Sequence, residues 1–161
     1  MRIAMVCSSP GIGLVPYPVD LAIFFKKQGH EVHALVGSLN EFETGLKKRI
    51  FENDIKLHII KCLDSSIKAW LPIKNEFITI LKKIDPDVIH FWGPRTAFQG
   101  RKVSGQKNAA RIIMIGSMGH TKGKTLSVRF AAHIANKYSD KVLALCDQDA
   151  FWLFATRMLT V

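Results

Sequence analysis

Short apolar blocks alternate along this chain with longer stretches in which apolar and charged positions interleave at three- and four-residue steps. The first block, Arg2 to Cys7, is short and gives way to the Ser, Pro and Gly residues of 8–16, so it reads as a buried strand of a parallel sheet. A helix is expected from Pro18 to Gln28. Pro18 sits where a first-turn proline is tolerated, Asp20 lies near the positive helix end, and Gly29 can take the left-handed conformation that stops the helix. The apolar run Glu31 to Val36 then completes a strand, loop, helix, strand unit. Its right-handed crossover opens the loop at the carboxyl end of the sheet.

The same alternation continues. Residues 41–53 predict a helix with Phe42, Leu46 and Ile50 on one side, and Lys56 to Lys61 a third strand. From Lys68 to Lys83 a helical stripe runs through Trp70, Ile73, Phe77, Leu81 and Ile84. Pro86 ends it, and a fourth strand leads to His90, Phe91 and Trp92. A basic helix from Thr96 to Asn108, a strand from Arg111 to Ile115, a polar loop to Gly123 and a helix from Thr125 to Tyr138 follow. A sixth strand, Lys141 to Cys146, and a helix from Gln148 to Met158 close the chain. The pattern predicts one α/β domain over residues 1–161: a Rossmann-like three-layer fold with a parallel sheet of about six strands and helices on both faces. Loops after the first, fourth and fifth strands are expected to converge at one edge.

Composition narrows the classes. Apolar residues make up 48% of the 161, enough for a substantial core, and no run approaches the roughly 18 apolar residues of a membrane span. The first apolar run is too short for a signal peptide, so a cytoplasmic location, or one on the inner face of the membrane, is expected. Cys7, Cys62 and Cys146 lack C-x-x-C spacing, which points to buried apolar residues and not to a disulfide framework or a zinc site. A net charge of +10 favours an anionic partner, with a solvated basic surface as the plain alternative. Leu71 and Ile78 fall off the helical stripe, between Lys74 and Lys82. With Lys68 and Trp70 they form an apolar shoulder flanked by lysines, suited to an anionic bilayer; a helix packed between neighbours accounts for the same pattern.

Gly11 and Gly13 in the first loop would let a phosphate or sugar approach the amides at the following helix N-terminus. A tight surface loop explains them equally. A dinucleotide fingerprint needs a third glycine where Pro16 stands and an acidic residue where Gly37-Ser38 stands, so NAD and FAD are excluded. The fourth strand, ending in His90, Trp92 and Gly93, brings polar and stacking groups to the same edge.

Three stretches in this order, "MRIAMVCSSPGIG" with "LAIFFKKQGHEVHALVG", then "DPDVIHFWGP", then "YSDKVLALCDQDAFWL", resemble the N-terminal half of GT-B glycosyltransferases of retaining family four. The resemblance implies the acceptor-binding half of a hexosyltransferase that uses a nucleotide-sugar co-substrate, with no cofactor and no metal. Pro10, Gly11, Ile12 and Gly13 would face donor phosphates or acceptor, and His90, Trp92, Gly93, Arg95 and Ser117 would complete the substrate-binding set. The family's histidine after the fifth strand falls on Gly116 here, which leaves His120, four residues on, as the catalytic candidate. No pair of glutamates eight residues apart, the donor-domain mark, occurs in the chain. The implied partners are a sugar acceptor, including a lipid-linked one, an anionic membrane surface, and a donor-binding domain or subunit absent from this chain; without it the half is expected to be inactive. Nucleic acid is not expected.

A rival resemblance covers the second half. "RIIMIGSMGHTKGKTLSVRFAAHIANKYSDKVLALCDQD" is similar to the start of ParA/MinD-type ATPases, and Gly123-Lys124-Thr125 matches the end of a phosphate loop. Met118 stands where that loop needs its first glycine, and a side chain there would crowd the phosphate cradle. A basic polyanion-binding domain is the third reading, without a recognition motif to support it.

Overall fold

A computed structural model describes residues 1–7, 16–37, 44–60, 63, 75–100, 109–115 and 125–145. Its strands are β1 (Arg2–Cys7), β2 (Glu31–Val36), β3 (Lys56–Ile59), β4 (Val88–Trp92), β5 (Ala110–Ile115) and β6 (Lys141–Ala144). Its helices are α1 (Pro16–Lys27), α2 (Thr44–Glu52), α3 (Asn75–Ile84), α4 (Pro94–Gln99) and α5 (Thr125–Tyr138). All the strands are parallel and lie in the order β3-β2-β1-β4-β5-β6.

Side-chain alternation along the strands builds two cores. Ile3 and Met5 of β1, with Val32 and Ala34 of β2, pack with Val19, Ala22 and Ile23 of α1 and Leu46 and Ile50 of α2. Ala4 and Val6, with Leu35, Ile89, Phe91, Ile113 and Ile115, face the other way onto Phe77 and Leu81 of α3, Ala97 of α4, and Ile134 and Ala135 of α5. The first two helices thus cover one face and the last three the other. That division follows from right-handed crossovers: the chain steps outward from β1 to β3, then jumps back across the sheet to β4 and steps outward the other way.

Several element ends depart from the sequence pattern. α1 starts at Pro16, two residues before the expected Pro18, and Gly29 at φ 81° follows its last turn as anticipated. β3 stops at Ile59, where the Ile60 N–H still donates to the Val36 carbonyl (2.7 Å). α4 begins at Pro94, two residues before the expected Thr96, and ends at Gln99 with Gly100 as its C-cap; residues 101–108 of the expected helix lie outside the described residues. One device recurs at the amino edge. Asp87 Oδ2 accepts the backbone N–H of Arg2 (2.7 Å), and Asp140 Oδ2 accepts that of Arg111 (2.8 Å), so each aspartate before a strand pins the start of a neighbouring strand. Among the described residues no helix is long and apolar enough to cross a membrane.

Candidate functional site

The strand order reverses between β1 and β4, and their carboxyl ends frame the crevice in which open α/β sheets take ligands. Cys7, Trp92 and Met114 form one register row across β1, β4 and β5 at this edge. The loops leaving these three strands therefore emerge side by side. Gly93, the first residue past β4, has φ 92°, a conformation that disfavours any side chain, and a Cβ there would meet nothing within 4 Å. Its N–H donates to the Met114 carbonyl (2.8 Å), while Thr96 Oγ1 donates to the Gly93 carbonyl (2.8 Å). The β4–α4 turn is thereby held against β5 with open space beside Gly93.

Behind the turn, His90 and Trp92 share the face covered by α1 and α2, their ring centroids 5.4 Å apart and tilted by 48°. His90 lies one step in from the edge, in register with Met5 and Ile112, and is only 3% exposed. Neither His90 Nε2 nor Trp92 Nε1 has a hydrogen-bond partner among the described residues. Burial pushes the His90 imidazole down to about 4, so it is neutral and not a cation at physiological pH. Burial likewise pushes the Cys7 thiol up to about 12, which leaves it protonated and unfit as a nucleophile.

Of the residues singled out from sequence, His90, Trp92 and Gly93 are brought together, and Arg95 lies in the first turn of α4 immediately after them. Pro10, Gly11, Ile12, Gly13, Ser117 and His120 lie outside the described residues, as do Lys68, Trp70, Leu71 and Lys74 of the lysine-flanked segment. Lys82 is exposed, and Ile78 is half-buried and packs partly against the core. The loop Gly116–Lys124 is likewise outside the described residues; α5 starts at Thr125, behind a strand that stands second from the sheet edge. Cys7, Met114 and Thr96 were not anticipated at the site, because only strand order and register place them there. Among the described residues no group of three His, Cys, Asp or Glu side chains could hold a metal ion.

The sequence matches no family model and no curated protein. Solved structures do match it. Anabaena Alr3699/HepE in complex with UDP and glucose superposes over 97% of this chain and 41% of its own, with a TM-score of 0.69 at 12% identity. A putative UDP-N-acetylglucosamine 2-epimerase from Listeria monocytogenes covers 96% of this chain and 42% of its own, with a TM-score of 0.65 at 12% identity. A glycosyltransferase from Rickettsia africae ESF-5 covers 89% and 42%, with a TM-score of 0.57 at 17% identity. The fold is a GT-B-type Rossmann unit. This chain spans about two fifths of the length of those structures.

Proposed function

We propose that this chain is the acceptor-binding half of a nucleotide-sugar-dependent glycosyltransferase and acts with a second Rossmann-like domain, in the same polypeptide or as a partner. The observation that carries the reading is the whole-chain likeness to a unit of a protein crystallised with UDP and glucose, combined with a switch point at which β1 and β4 end side by side and open space lies beside Gly93. A neutral His90, an indole N–H and a glycine without a side chain suit hydroxyl-bearing, uncharged ligands better than phosphates, which fits an acceptor sugar. Membrane association is a separate part of the proposal: the exposed Lys82 and Lys83 at the end of α3, at the amino edge of the sheet, would be drawn to an anionic surface.

The test pairs a turnover assay with a binding assay. Incubated alone with a panel of nucleotide sugars, the chain is expected to release no nucleotide above the buffer rate. Acceptor saccharides, free or lipid-linked in vesicles, are expected to shift the Trp92 indole and Gly93 amide resonances. Robust nucleotide release abolished by Lys124→Ala would move the assignment to the phosphate-loop ATPase class. An acceptor panel that leaves both resonances unmoved would remove the acceptor reading.

A further inference from the structure

The edge of the sheet away from this crevice carries a second cluster of titratable groups. In the β2–β3 register His33 stands opposite Lys56, and Leu35 opposite His58. His33 and His58 project to the face that carries Leu35, and their rings stack with centroids 5.2 Å apart and planes 14° from parallel. His33 Nδ1 and His58 Nε2 are 2.9 Å apart. The other nitrogen of His33, Nε2, is 3.1 Å from Glu31 Oε1, which also accepts a hydrogen bond from Lys56 Nζ. Lys56, Glu31, His33 and His58 thus form one continuous line of hydrogen bonds.

Chemistry fixes the direction of that line. An ionised carboxylate only accepts, so His33 Nε2 carries the hydrogen that reaches Glu31. In a neutral His33, Nδ1 is then a lone pair, and His58 Nε2–H must be the donor to it. A proton added to His33 Nδ1 sets two N–H donors face to face unless neutral His58 moves its own hydrogen to Nδ1 and accepts through Nε2. His58 can take a proton on Nδ1 without breaking the line, but a second proton on the pair cannot be accommodated. His33 is 6% exposed, so water does not replace the lost bond. The charged groups facing the pair are Glu31 of β2, Lys56 of β3, Arg2 of β1 and Lys83 of α3. Three are cations, and the one carboxylate is already shared with Lys56.

We infer that the His33–His58 pair is a proton-operated latch on the outer edge of the sheet: with His33 neutral it clamps β3 to β2, and with both rings protonated it lets β3 part. β3 is suited to such control, because among the described residues it is the outermost strand, four residues long and hydrogen-bonded on one side only. Burial, the leading cause in both cases, holds both imidazoles below the ordinary histidine value of 6.5. The closed state therefore binds fewer protons than the opened one. Closure is fully present above 6.5 and is lost as pH falls through the depressed values of the folded pair, each histidine contributing up to about tenfold in the opening equilibrium per pH unit.

Amide hydrogen exchange on the intact chain, expressed as protection factors, tests the latch. Relative to Phe91 in β4, protection of the Ile60 amide is expected to fall at least about tenfold between pH 7 and pH 5. His58→Gln, which keeps an N–H donor toward His33 but cannot titrate, is expected to lose most of that dependence. Imidazole nitrogen shifts of the unmutated chain provide a check that needs no variant: at pH 7 His33 should show a protonated Nε2 and an accepting Nδ1. Two rings that titrate independently near 6.5, or Ile60 protection that does not change with pH, would overturn the proposal.

Discussion

Replacing Gly100 with alanine is a sharp test of the packing behind the β4–α4 turn. Gly100 has φ −77° and ψ −2°, which any residue adopts, so backbone strain is no obstacle. Space is the obstacle. A Cβ built there would lie under 3.0 Å from two ring carbons of Phe91. Relaxed carbon contacts sit at about 3.5–4.0 Å, so ring or helix end must retreat by about 1 Å. Phe91 is fully buried in the core that also holds Ile89, Ala97 and Ile113, and its ring has nowhere to yield. Overpacking of this kind costs about 1–3 kcal/mol, which for a domain of this size lowers Tm by about 3–9 °C in a thermal melt. Phe91→Leu shortens the obstructing ring, so in a double-mutant cycle the pair should be less destabilised than the sum of the single changes by about 0.5–3 kcal/mol. A Gly100→Ala melt within error of the unmutated chain, or strict additivity in the cycle, would refute the geometry.

Two further outcomes concern ionisable groups. His90→Leu should flatten the acid limb of stability: His90 is held neutral down to about 4, so the native state loses stability as pH falls from 6.5 toward 4, by on the order of 3 kcal/mol, and the variant lacks that slope. Urea melts at pH 7, 5.5 and 4 check it, and parallel slopes for the two proteins would contradict the burial. Asp140→Asn removes the ionic part of the contact with Arg111 Nε (3.2 Å) and Nη2 (2.9 Å) at the start of β5, a partly exposed pair worth less than about 1 kcal/mol at pH 7. Hydrogen bonds from Arg111 hold the Asp140 carboxyl below its ordinary value of 3.8, so the gap between the two proteins should close as pH falls through the depressed value; a gap that persists in strong acid would mean that the loss is not electrostatic.

Much of the fold was legible because parallel strands buried on both faces leave a plain trace. The runs at Arg2–Cys7 and Glu31–Val36 match their strands residue for residue, and the helix Thr125–Tyr138 was expected with those limits. The stripe Phe77, Leu81, Ile84 is buried as its spacing implied. Ile78 shows the limit of such a stripe, since it lies off the stripe and yet packs partly against the same core. The candidate site was legible in part. His90, Trp92 and Gly93 announce a strand end, but that Trp92 lies between Cys7 and Met114 depends on strand order, which no local pattern encodes. The His33–His58 contact joins residues 25 positions apart and exists only through register, and the approach of Phe91 to Gly100 depends on how the end of α4 packs back on β4.

Part of the net charge of +10 has a structural cause. Lys26 and Lys27 sit in the last turn of α1, Lys82 and Lys83 in that of α3, and Lys137 in that of α5, where a cation complements the negative end of the helix. Because helices end where strands begin, these lysines gather at the amino edge of the sheet, opposite the crevice at Trp92. Arg2, Lys26, Lys56 and Arg111 there are paired with Asp85, Asp54, Glu31 and Asp140. A positive field so placed cannot steer an anionic substrate into the switch-point crevice at close range, since a Debye length of about 8 Å at physiological salt is shorter than the sheet is long. Strands of five or six residues at about 3.3 Å each span roughly 16–20 Å. An anionic partner drawn by these helix-end lysines would meet the amino edge, opposite the switch point between β1 and β4.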